Sequence, residues 1–164
     1  MEQNKTQYVL GLLRLIMGWI FLWAFVDKVF GLGFATKSEG AWLTGGSPTS
    51  GFLKFGVHGP FASFYQSLAG VPLVDWLFML GLLFIGVTFI SGIFMRLGGF
   101  TGILMLFLMY TAIGISPTNN PFIDDHIVYI LVMIILVLTN SGQFLGLGKW
   151  WANTSFVQKY KFSQ

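Results

Sequence analysis

The amino-acid sequence predicts an all-α integral membrane protein: a bundle of four transmembrane helices, with short interfacial or re-entrant helices between the first span and the second. Three observations carry that prediction. Four apolar runs, at about residues 9 to 30, 72 to 95, 97 to 115 and 122 to 139, occupy more than half of the 164-residue chain. Each comes within about a turn of the roughly 20 residues needed to cross a hydrocarbon layer of about 30 Å. The composition is 55% hydrophobic and 18% aromatic with only 9% charged, and the mean hydropathy is +0.75, a balance that calls for lipid as solvent. The runs are continuous, not alternating, and backbone groups in lipid must be satisfied internally, which selects helices over a membrane barrel. Residues 1–164 form a single domain on this reading.

The formal net charge is +3, but the nine basic residues are scattered and form no patch for nucleic acid. Orientation explains them better. An even number of spans puts both termini on one side, with Lys5, Arg14, Arg96, Lys149, Lys159 and Lys161 there and Lys28, Lys37 and Lys54 opposite. The excess of cations makes that side cytoplasmic in a multi-pass protein of the cell membrane. The first run is too long for a signal peptide and continues into Val26-Asp27-Lys28 without a small-residue cleavage site, so it is expected to remain as a helix. There is no cysteine, which excludes disulfides, iron–sulfur ligation and thiol chemistry within the chain.

The first helix should start near Tyr8 and end at Gly31-Leu32-Gly33, where glycine accepts the left-handed conformation that closes a helix. Arg14, Gly18, Phe21, Phe25 and Lys28 share one stripe, with cations about 21 Å apart. Arg14, two turns in, is expected to snorkel to the interface. Residues 31–71 are too long for a structureless connection and interleave glycines with Trp42, Phe52, Phe55, Phe61, Phe64 and Tyr65. Short helices at about 49 to 56 and 60 to 69, started by Ser47-Pro48 and Gly59-Pro60, should cover the outer mouth of the bundle. Pro72 opens the second span with Asp75 in the positive end of its dipole. Arg96-Leu97-Gly98-Gly99 is read as the tight turn to the third, and Gly98 with Gly102 as a small-residue packing pair. For the fourth, Asn120 is the expected N-cap and Pro121 the first helical residue, with Asp124 and Asp125 in the first turn and Asn140-Ser141-Gly142 at the end. The tail Gly146-Leu147-Gly148-Lys149-Trp150-Trp151 suits an interfacial belt.

Alternating spans bring Lys28, Asp75, Asp124, Asp125 and His126 to one membrane face, where function is sought. Asp125 and His126 lie four and three residues before Tyr129, so either can share a face with its hydroxyl. Such a group can move protons at a quinone carbonyl, although a capped helix start with solvated acids needs no such role. Lys28 can neutralise an anionic substrate or pair with an acid across the bundle; a plain interfacial lysine is the simpler account. His58 and Asp75 are further substrate-binding candidates, against structural or solvent-facing roles. Trp42, with Trp19, Phe21, Trp23 and Trp76, suits a flat hydrophobic quinone and equally suits lipid. No zinc spacing, phosphate loop or Ser-His-Asp arrangement is visible, and no metal or haem is predicted.

Three segments in order, Arg14-x3-Gly18-x2-Phe21-x6-Lys28, Gly92-x3-Arg96-Leu97-Gly98, and His126-x2-Tyr129 followed by Gly146-Leu147-Gly148-Lys149-Trp150, resemble the DoxX superfamily over nearly the whole chain. Ala41-Trp42-Leu43-Thr44-Gly45-Gly46-Ser47-Pro48 brings the likeness closer to its DoxD-like branch. The resemblance implies four membrane helices and the membrane subunit of a thiosulfate:quinone oxidoreductase, which oxidises thiosulfate to tetrathionate and passes electrons to quinone together with a second, small subunit. Numerous members carry an acid inside the second helix, whereas Gly81-Leu82-Leu83 here is wholly apolar. On this basis Lys28 and His58 attract the anionic sulfur substrate, and Asp125, His126 and Tyr129 handle protons at the quinone. The alternative is a non-catalytic anchor or assembly subunit of a respiratory or stress-response complex. A small transporter fits less well, because internal repeats and a broken mid-membrane helix are lacking.

Overall fold

A computed structural model describes residues 2–114 and 121–159, and all its regular elements are helical. Asn120, Lys161 and the expected end of the third run at Ile115 lie outside those residues. Helix α1 (Glu2–Phe30) ends where expected, at Gly31. After short 3-10 turns at Ser38–Gly40 and Trp42–Thr44 come a π-helical turn, Phe52–Gly56, and helix α2 (Ala62–Ser67), close to the two short helices read from the sequence. The long helices α3 (Pro72–Ser91) and α4 (Met95–Ala112) follow, then α5 (Asp125–Leu138). A 3-10 turn at Ser141–Gln143 and two short helices, α6 (Gly148–Ala152) and α7 (Ser155–Lys159), lie beyond.

Glycine contacts define the topology. A Cβ on Gly18 would meet Ile90, one on Gly86 would meet Leu22, one on Gly102 would meet Met133 and Ile85, and one on Gly99 would meet Val137. Sequence number rises along one helix as it falls along its neighbour, so α1, α3, α4 and α5 run antiparallel in turn. Met17 and Phe21 of α1, Met79, Leu82, Ile85 and Phe89 of α3, Leu106 of α4, and Met133 and Leu136 of α5 form the core. A satellite cluster of Leu53, Val57 and Ala112 fixes the connecting segment to the end of α4, where the His58 N–H also donates to the Ala112 carbonyl at 2.9 Å.

The outside of the bundle is apolar. Leu12, Ile16 and Trp19 on α1, Leu73, Leu77 and Leu80 on α3, Phe100 and Phe107 on α4, and Leu131 and Ile135 on α5 are all exposed. Such a surface needs a lipid bilayer around it. Three helices are long and apolar enough to cross one: Lys5–Phe30, Pro72–Ser91 and Met95–Ala112. The fourth apolar run forms a helix of only 14 residues, about 21 Å at 1.5 Å per residue.

Three boundaries differ from the sequence reading, the first being the start of α1, which lies at Glu2 and not near Tyr8. The turn between α3 and α4 is Gly92-Ile93-Phe94, and Arg96 to Gly99 lie in the first turns of α4. Gly92, at φ 79°, stops α3 with its N–H on the Thr88 carbonyl at 2.8 Å. Gly98 instead gives Thr88 room to approach, as Gly102 does for Met133. At α5 the cap is Asp124, not Asn120, and Pro121 precedes the helix. The Asp124 side chain accepts the N–H groups of His126 and Ile127, satisfying two donors that a helix start otherwise leaves unpaired.

Candidate functional site at the polar end of the bundle

The antiparallel order brings together the end of α1, the start of α3, the end of α4 and the start of α5. Lys28, Asp75, Asp124, Asp125 and His126 therefore sit at one end of the molecule, with the segment 31–71 packed on the same end.

The acids there differ sharply in what they hold. Asp75 is buried, and its Oδ1 accepts the Thr49 hydroxyl at 2.6 Å, the Ser47 hydroxyl at 3.0 Å and the Thr49 N–H at 3.1 Å. It pins Ser47-Pro48-Thr49 to the first turn of α3. Asp27 is only 1% exposed and gathers three N–H groups of the following loop, Phe34 at 3.2 Å and Ala35 and Thr36 at 2.9 Å. Asp27 is not among the site residues read from the sequence. Its signal was its position: an anion in the last turn of a helix opposes the dipole and must find donors elsewhere. Asp27→Asn is therefore expected to lose about 1.5–3 kcal/mol of stability. The amides of residues 34–36 should exchange hydrogen faster, and unchanged exchange there would sink the assignment.

Lys28 is half-buried with its ammonium 6.0 Å from the centre of the Phe78 ring, and no carboxylate of a described residue comes within ion-pair distance. Trp42 packs on the core and meets Trp76 edge to face, centroids 4.6 Å apart. His58 is exposed. Asp125 is exposed, while Tyr129 is half-buried against the core and its hydroxyl bonds to no described residue. The partner of His126 is Asp124, whose Oδ2 lies 2.7 Å from Nδ1. Sequence reading placed Asp125 beside His126 in the proton-handling group and left Asp124 as a dipole-facing acid. Among the described residues no three His, Asp or Glu side chains gather as a metal site.

Arg14 overturns its expectation. It is 0% exposed and does not snorkel. Nη1 donates to the Phe89 carbonyl and to that of Ile90 at 3.0 Å, and Nη2 donates to Phe144 at 3.1 Å and Leu145 at 3.0 Å. Carbonyls in the last turn of α3 lack intrahelical partners and carry the negative end of the dipole, so a planar fork of donors satisfies them there. This clamp lies at the opposite end of the bundle from Lys28.

Comparison with protein-family models, with curated proteins and with solved structures gave no match to this chain.

Proposed function

We propose that the chain is the membrane subunit of a quinone-linked oxidoreductase of the thiosulfate:quinone type, as its resemblance to the DoxD-like branch of the DoxX superfamily implies. It would lie in the cell membrane with four spans, both termini cytoplasmic and a second protein subunit at the polar end. The observation that carries this reading is the held imidazole of His126, 2.7 Å from Asp124, at the same end as Lys28, which has no carboxylate of a described residue within ion-pair distance. The residue types suit a flat ring with polar carbonyls: Trp42 and Trp76 pack edge to face, and Phe25, Phe78 and Tyr129 pack, like Trp42, on the core. A quinone supplies an acceptor for two electrons and two protons. His126 and the Tyr129 hydroxyl hold and move the protons, with Asp125 beside them, and Lys28 with His58 draws the thiosulfate anion from water. Trp42 closes the apolar side, and Asp75 acts through the Ser47–Thr49 segment that it anchors.

Lys28→Met tests the anion role. Thiosulfate-dependent reduction of a short-chain quinone in membranes should fall by about 10-fold or more, as expected when a 1.4 kcal/mol or larger contact is lost, with the level of folded protein maintained. Unchanged turnover discards the reading. The four-span topology is tested separately, because the absence of native cysteine makes single-cysteine variants clean. Ser38→Cys and Ser155→Cys, both exposed, should react with an impermeant maleimide from opposite sides, and labelling from one side overturns the orientation.

A second reading, a non-catalytic anchor or assembly subunit, draws on a different observation: Asp27, Asp75 and Asp124 all hold the chain's own groups. Mild-detergent purification separates the two. Retained quinone supports the enzyme subunit, and a larger complex without quinone supports the anchor.

A further inference from the structure

Asp124 divides its carboxylate between two duties. Oδ1 accepts the backbone N–H groups of His126 at 3.1 Å and Ile127 at 3.4 Å, while Oδ2 faces His126 Nδ1 at 2.7 Å. An ionised carboxylate can only accept, so the hydrogen between them sits on Nδ1. In the neutral ring Nε2 then carries the lone pair. Nε2 bonds to no described residue, and neither does the Tyr129 hydroxyl three positions on. If capping were the whole role of Asp124, one oxygen would do.

We propose that Asp124 is a positioning residue that fixes His126 as its Nδ1–H tautomer and so makes Nε2 the proton-exchanging atom at this end of the bundle. The role in turnover rests on the quinone-linked reading above. Nε2 takes a proton from the aqueous side while the Asp124 carboxylate holds the ring through Nδ1–H, and Nε2–H releases the proton to the acceptor oxygen. The ring returns to its Nδ1–H form, ready for the second proton. The two electrons come from two thiosulfate ions as a sulfur–sulfur bond joins them into tetrathionate, and the two protons come from water. Nδ1 keeps its hydrogen throughout.

Asp124→Asn separates capping from positioning. Its carbonyl oxygen can still cap α5, but an NH2 group replaces Oδ2 and donates to Nδ1, which drives the ring to the Nε2–H tautomer. The chain has two histidines, so 15N-histidine NMR of the full chain in detergent resolves each ring, with His126 assigned by the signals lost in His126→Gln. The wild type should show a protonated Nδ1 and a bare Nε2 in the neutral ring. Asp124→Asn should show the reverse at a retained thermal midpoint, with quinone reduction about 100-fold lower or more. A wild-type ring that is Nε2–H or a tautomer mixture overturns the proposal, as does full turnover in Asp124→Asn. If the rings behave as stated while the wild type reduces no quinone, the quinone reading fails and the Asp124 assignment stands.

Discussion

Arg14→Met should unfold in detergent at a far lower temperature than the wild type. Methionine matches much of the bulk, but none of its atoms can donate to the carbonyls of Phe89, Ile90, Phe144 and Leu145. An unsatisfied buried acceptor costs about 1–3 kcal/mol, so a loss of about 3 kcal/mol or more is expected even if the structure relaxes around some of the four. Arg14→Lys should fall between, because an ammonium keeps the charge and the helix-dipole attraction but cannot span two pairs of carbonyls as a planar fork does. Tryptophan-monitored thermal unfolding reads both variants. A midpoint for Arg14→Met within error of the wild type would show that the clamp contributes nothing.

Gly86→Ala should also be strongly damaging, and Gly81→Ala, five residues earlier on the same helix, should be mild. A methyl on Gly86 would lie 2.8 Å from the Leu22 Cβ and 2.9 Å from its Cα and N. Backbone cannot step aside, so α1 and α3 must separate, at about 1–3 kcal/mol for overpacking. At Gly81 the obstacle is the Met105 Cε at 2.5 Å, the tip of a flexible chain that can swing away. Gly51→Ala, where nothing lies within 4 Å, serves as a control. Equal destabilisation at positions 81 and 86 would refute this account of the α1–α3 contact.

The sequence made the long helices, the short helices of the connecting segment and the shared end of Lys28, Asp75 and His126 legible, because hydropathy, proline and alternation of direction are local or additive signals. What escaped it has a common cause. The partners of Arg14 are main-chain carbonyls 75 and 130 or more residues away, and a carbonyl leaves no mark in residue type. Asp27 likewise holds backbone N–H groups. The α3–α4 turn was misplaced because Gly92, Gly98 and Gly99 all lack a Cβ, and composition alone does not say which one turns the chain and which ones admit a neighbour. Asn120-Pro121 and Asp124 are both proper helix starts. The choice of Asp124 brings a partner for His126, a gain visible only once the side chains are placed.

The four carbonyls around Arg14 also impose an order on biogenesis. When α1 leaves the ribosome its guanidinium has none of them, since they belong to segments synthesised later. Nη1 finds its carbonyls once α3 has followed, but until residues 144 and 145 are made Nη2 has to keep company with water, lipid phosphate or a chaperone. A nascent chain halted before that point should remain open to proteolysis, whatever number of its helices has already entered the bilayer.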